Sequence, residues 1–191
     1  MIKTHYIKGK NIYLREVRES DVNDNYYCWM NDPEIGQYME TRFFPQSKTS
    51  ILQYVQAHTG NSNEVFFASC LLDNDLHIGN CKLGPINWIN RRAEISMFIG
   101  EKSYWKKGFG TEIIGLIVRY GFETLGLHRL TSGVVDTNEG SRRMFENNGF
   151  TKEGILKDHA YYFEMWHDCY IFGITRPQYE RYLQQQTIIN Q

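Results

Sequence analysis

The residues best placed to do chemistry form one short run, Lys106-Lys107-Gly108-Phe109-Gly110-Thr111. It lies between a β-favouring stretch ending near Ile99 and the start of the most regular apolar helix in the chain. Glycines at such a junction let the backbone approach a ligand closely, while free N–H groups and the positive end of a helix dipole favour an anion. A phosphate-bearing ligand is the expected occupant. Between Arg91 and Gly110 the cations Arg91, Arg92, Lys102, Lys106 and Lys107 outnumber Glu94 and Glu101, in a chain whose net charge is only -1. Arg142 and Arg143 on the next helix are expected to extend that field. Two common phosphate loops do not fit. No Gly-x-x-x-x-Gly-Lys-Ser/Thr string occurs, and Ile113 stands where a dinucleotide fingerprint needs its third glycine. Kinase, ATPase and dehydrogenase readings fall away.

The elements that must position this run can be read from periodicity. Ile113, Ile114, Ile117, Val118, Phe122 and Leu125 recur at three- and four-residue spacing and predict an amphipathic helix ended by Gly126. Ahead of it, Val65 to Leu72, Leu76 to Lys82 and Ala93 to Ile99 read as an antiparallel meander with turn clusters such as Asp73-Asn74-Asp75. In the last strand, alternation puts Glu94, Ser96 and Phe98 on one face and Ala93, Ile95, Met97 and Ile99 on the other. His128 to Val135 is the next strand, and Asn138 to Asn148 a short helix capped by Asn138 and closed by Gly149. Strand-rich sequence follows from Phe150. Near the N-terminus, Ile12 to Val17 reads as a first strand, Ser20 as the cap of a helix carrying Val22, Tyr26, Trp29 and Met30, and Ser47 to Ala57 as a second helix. Strands and helices in this order call for a mixed sheet covered by helices, α/β in the broad sense.

Composition bounds the answer. The 191 residues, 41% hydrophobic and 15% aromatic, suit a single folded domain spanning 1–191. The balanced charge argues against nucleic acid, whose binders carry a basic excess. Apolar runs fall far short of the roughly 20 residues needed to cross a bilayer, and Met1 to Tyr13 carries no apolar leader pattern, so a cytoplasmic protein is expected. Cys28, Cys70, Cys81 and Cys169 are dispersed, which predicts reduced, mostly buried thiols and no metal centre.

Four segments, taken in order, resemble a known family. Arg92-Ala-Glu-Ile-Ser-Met-Phe-Ile-Gly100, Tyr104-Trp-Lys-Lys-Gly-Phe-Gly-Thr-Glu112, Val135-Asp-Thr-Asn-Glu-Gly-Ser141 and Asn148-Gly-Phe150 are similar to successive motifs of the GNAT N-acetyltransferases, and most to the RimJ/RimL-like branch. The resemblance runs from about Ile12 to Ile174. It implies a mostly antiparallel central sheet, splayed where acetyl-CoA binds and flanked by helices. It also implies that Met97, Phe98 and Ile99 offer backbone groups to the pantetheine arm and thioester, and that Lys106, Lys107, Gly108, Phe109, Gly110 and Thr111 cradle the pyrophosphate. Asn138, Ser141, Arg142 and Phe145 are placed near the pantetheine and sulfur. Trp105 stands where many relatives have Gln or Arg, and Phe145 where several have a tyrosine that protonates the departing thiolate. Ser141 is left as the candidate to hydrogen-bond the sulfur.

Attack of an amine on a thioester needs a neutral nitrogen, and an alkylammonium has a pKa of about 10, so a base must take a proton. Glu94 is the candidate. Apolar neighbours on its strand predict burial and a raised pKa, against the alternative of a surface carboxylate paired with Arg91 or Arg92. From Glu16 to Glu40 seven acids face one base, Arg18, a field that would draw a cationic amine unless it is a solvated helix face. The segment from Trp29 to Pro45 looks like that of relatives acetylating amino sugars on nucleotide carriers, with Trp29, Glu40, Arg42 and Phe43 as acceptor contacts. A protein N-terminus or a polyamine is the alternative acceptor, and a non-catalytic acetyl-CoA-binding module the alternative of another class. Many relatives dimerise, so a homodimer is among the expected partners.

Overall fold

The computed structural model describes residues 5–189; the first four residues of the opening segment lie outside it. β1 (Ile7–Lys8) and β2 (Ile12–Glu16) form a hairpin. A 3-10 turn at Glu19–Asp21 leads into α1 (Asp24–Asn31), whose cap is Asn23, its side chain accepting from the Tyr26 N–H. Ser20, expected to cap this helix, lies inside the 3-10 turn, because Asp21 is drawn inward by the guanidinium of Arg15. Asp32 ends α1 and caps α2 (Pro33–Gly36), accepting from the N–H groups of Glu34 and Ile35. Ser47 and Ser50 form a reciprocal capping box for α3 (Lys48–His58), whose buried face is Ile51 and Val55.

The expected meander follows as β3 (Val65–Leu71), β4 (His77–Leu83) and β5 (Arg92–Ile99), each pair antiparallel. α4 (Phe109–Arg119) buries Ile113, Ile114, Leu116, Ile117 and Val118, side chains worth roughly 1.5–3 kcal/mol each on burial. A π turn at Tyr120–Thr124 and Gly126, with φ +63°, end it. β6 (Arg129–Val135), α5 (Glu139–Glu146), β7 (Thr151–Tyr162) and β8 (Met165–Thr175) complete the expected order. A last helix, α6 (Arg176–Ile189), was not expected from the sequence.

The strands form one eight-stranded sheet in the order β1-β2-β3-β4-β5-β6-β8-β7. Among the described residues the β5–β6 pair is the parallel one, and it is joined at only three positions, Arg92 with Arg129, Ala93 with Leu130 and Glu94 with Thr131. Two cores lie on opposite faces. One packs Ile113, Ile117 and Phe145 against Leu83, Ile95, Leu130 and Phe172. The other packs Tyr26, Trp29, Ile51 and Val55 against Tyr13, Ala68, Cys70 and Phe98.

Candidate active site

Beyond Glu94 and Thr131 the parallel ladder stops, and β5 and β6 diverge to leave a V-shaped opening. The remaining half of β5 is held by β4 alone, in the register Leu83–Ile95, Lys82–Ser96, Cys81–Met97, Asn80–Phe98 and Gly79–Ile99. Gly84 N–H donates to the Glu94 carbonyl and Gly100 N–H to the Ile78 carbonyl. Antiparallel hydrogen bonding alternates, so Ser96 and Phe98 also spend their backbone groups on β4, while Ile95 closes the last rung on Thr131 and Met97 and Ile99 turn theirs toward the opening. Phe98 is therefore corrected as a backbone contact. Its ring instead packs against Tyr26 and Trp29, with centroids 6.2 and 6.4 Å away.

The segment expected to cradle the phosphates, Lys106 to Thr111, sits at the wide end of this opening. The Trp105 indole N–H donates to the Ile99 carbonyl at 2.8 Å, fixing the start of the loop to the end of β5. Lys106 has φ +58° and Gly108 φ +86°, and Gly108 caps α4 without any side-chain bond. The first-turn N–H groups of α4 are thus left for a ligand, the arrangement that favours phosphate. Lys106 and Lys107 are exposed beside them. Gly110 also serves packing: a Cβ there would lie 2.1 Å from the Met144 sulfur on α5. The buried Asn148 side chain donates to the Thr111 and Met144 carbonyls at 3.0 and 2.8 Å, locking the first turn of α4 onto α5.

The wider cationic field does not form. Lys102 is paired with Asp32 and Glu34 at 2.8 and 2.6 Å. Arg142 pairs with Glu139 and Glu146, and Arg143 with Glu139, so α5 neutralises its own arginines. The acidic field near the N-terminus is discharged in the same way: Glu16 meets Arg18, Asp21 meets Arg15, and Asp24 meets Lys48.

On α5, Asn138 caps the helix through its Oδ1, which accepts from the Ser141 N–H at 3.1 Å. Ser141 is half-buried. Phe145 is a core side chain, packed on Phe150 and Phe172 with centroids 5.0 and 6.4 Å away.

Glu94 shares a face with Ser96 and Phe98, as alternation predicts, but it is exposed rather than buried. The helices of the second core cover β2 to β4 and reach Phe98; they stop short of Ser96 and Glu94, which are both open to solvent. The alternative of a surface carboxylate holds for its exposure but not for its pairing, since the Glu94 carboxylate has no ion pair with Arg91 or Arg92 among the described residues. It opens instead onto a cleft of about 520 Å³ lined by Asn63, Ile86, Asn87, Trp88, Ile89, Arg92 and Thr131. Apart from Arg92, which opens the first family-like segment, nothing in the sequence motifs marked those residues.

The expected acceptor contacts lie elsewhere. Trp29 is buried against Phe98 and His77, with its ring under Gly100. Arg42 is sandwiched over the rings of Phe43 and Tyr162, at 4.0 and 3.8 Å, and donates to the Met39 and Tyr161 carbonyls. Glu40 and Phe43 are exposed on the same 3-10 turn. This strap crosses the wide end of the opening, where the Tyr38 hydroxyl donates to the Thr137 carbonyl at 3.2 Å. Thr131, at the closed end, lies six residues earlier; from it β6 runs on to Val135, roughly 13 Å of extended strand, before the turn that carries Thr137. Glu94 and the strap are at opposite ends.

The family model described as an acetyltransferase (GNAT) domain matches residues 11–151. The chain belongs to the GNAT acetyltransferase family. This GNAT chain is 31% identical over 193 aligned residues to a probable N-acetyltransferase, YjcK, of Bacillus subtilis, covering 92% of this chain and 99% of that one. It is 28% identical to an uncharacterized N-acetyltransferase, p20, of Bacillus licheniformis, with 93% and 99% covered. In fold it resembles the spermidine N-acetyltransferase of Vibrio cholerae solved with CoA and spermine, at a TM-score of 0.81 and 24% identity, with 89% and 98% covered. This GNAT protein is an acetyl-CoA-dependent N-acetyltransferase. Its residues fit that ligand: the start of α4, which has no side-chain cap, would meet the phosphates, and the backbone of Met97 and the N–H of Ile99, which β4 leaves unpaired, would meet the arm.

Proposed function

We propose that this chain moves the acetyl group of acetyl-CoA to a primary amine by direct attack, with the amine held at the closed end of the opening beside Glu94. The observation carrying this reading is the position of Glu94, on the last paired rung of β5 and β6 and on the face opposite α4. With the phosphates held at α4, acetyl-CoA and the amine then approach from opposite faces, and the thioester and the amine meet in the gap between the strands. Acetyl-CoA supplies an activated acyl group whose carbonyl is open to a neutral amine.

The first turn of α4, with Lys106 and Lys107, holds the phosphates. The Met97 N–H, turned into the opening, is placed to donate to the thioester oxygen, where negative charge develops during attack. The exposed Glu94 carboxylate draws the ammonium form by charge and takes its proton, directly or through water. Ser141, at the first turn of α5, offers a hydroxyl to the departing sulfur.

The test is thiol release from acetyl-CoA across amino sugars, polyamines and N-terminal peptides, beside calorimetric titration with acetyl-CoA. Release with one amine class is the expected result. Tight binding without release from any amine would turn the reading to a binding module, and absence of binding would overturn it.

A further inference from the structure

The cleft beside Glu94 is built by the β4–β5 connection, which is rigidly held. Ile86 N–H donates to the Asn63 carbonyl at 2.6 Å, the Trp88 indole N–H to the Ser62 carbonyl at 3.0 Å, and Asn87 and Arg92 exchange backbone bonds. The Asn87 Oδ1 accepts from the Asn90 N–H at 2.8 Å, which leaves its amide Nδ2 as a donor. Trp88 therefore has a fixed ring plane yet remains 39% exposed. The cleft combines a flat indole face, two side-chain amides, a threonine hydroxyl and one carboxylate without an ion pair.

We infer that this cleft is the acceptor subsite and that it takes an amino sugar: the pyranose face stacks on Trp88, its hydroxyls meet Asn63, Asn87 and Thr131, and its amine lies against Glu94. This inference rests on the transfer reading above and names its substrate class. An aromatic platform offers apolar contact to the C–H face of a ring, while amides and hydroxyls suit a ligand with many hydroxyls. A linear polyamine would want several carboxylates, and the cleft has only Glu94, with Arg92 beside it. A peptide N-terminus would leave the amides without ring hydroxyls to meet. The cleft volume is within the range of small-ligand sites.

The test follows the indole N–H resonance of Trp88, one of four tryptophans, assigned through Trp88→Phe, while glucosamine, glucose or spermidine is added to the full chain with acetyl-CoA present. Glucosamine is expected to move that resonance more than glucose, and spermidine to leave it in place. In parallel, Trp88→Ala should raise KM for glucosamine on the order of tenfold with kcat and acetyl-CoA affinity little changed, and Trp88→Phe should restore most of the loss. A Trp88 resonance that glucosamine does not move, or that spermidine moves instead, overturns the subsite. A shift with glucosamine but no thiol release from any amine supports the subsite and overturns the transfer reading alone.

Discussion

Trp105 and Ile99 are joined across the mouth of the site, indole N–H to strand carbonyl, at 2.8 Å. The bond fixes the direction in which the cradle leaves β5, and so the aim of the α4 N–H groups. Trp105→Phe keeps a ring beside the second core and removes the donor. It is expected to cost about 1 kcal/mol of stability and to weaken acetyl-CoA severalfold. Thermal unfolding and calorimetric titration check both, and an unchanged affinity would detach Trp105 from the cradle.

Glu94→Gln keeps size and hydrogen bonding but cannot take a proton. Turnover should fall by about 10²–10⁴, the usual worth of a placed general base, with acetyl-CoA affinity nearly intact. Equal turnover in steady-state assays removes Glu94 from the mechanism.

Gly110→Ala pushes a methyl into Met144 and should destabilise by about 1–3 kcal/mol, as overpacking does. In a Met144→Ala background the same change should cost much less, because the obstructing sulfur is gone. Urea unfolding of the four combinations measures that coupling.

Asp21 and Arg15 form a buried pair, with 2.7 Å hydrogen bonds to each carboxylate oxygen. Burial alone would raise the Asp21 pKa, but hydrogen bonds from the Arg15 guanidinium and the Arg18 N–H outweigh it and hold the carboxyl below its usual range. The stability this supplies is present above the unfolded carboxylate pKa, about 3.9, and is lost as pH falls through the lower folded value. Acid unfolding should steepen below about pH 4 in the parent chain, and that dependence should flatten in Asp21→Asn. The variant also strands a buried guanidinium and should cost about 3–5 kcal/mol at neutral pH.

What could be read from the sequence was what neighbours in the chain decide. Asn138, Gly126 and Gly149 punctuate their helices as expected, because caps act over three or four residues. The same locality explains the alternation of β5, which put Glu94, Ser96 and Phe98 on one face. Misreadings came where a distant partner decides. Lys102 looked free until folding set it beside Asp32 and Glu34, 70 and 68 positions away. Glu94 looked buried because its strand neighbours are apolar, whereas its exposure depends on where the α1–α3 layer stops. α6 escaped notice because its polar sequence buries little beyond Tyr179, which stacks on Phe122 and bonds Glu123. Trp88 belonged to no motif, and only the fold brings it to Glu94.

Three rungs of backbone pairing are all that the ladder between β5 and β6 provides, so the sheet is two blocks sharing a narrow joint. A chain-like ligand lying in the opening would act as a keystone, offering Met97 and Ile99 the partners their strand lacks. Loading the donor and stiffening the molecule are then a single event. Amide hydrogen exchange would record it, as protection gained at Met97 and Ile99 while the β3–β4 ladder stays as it was.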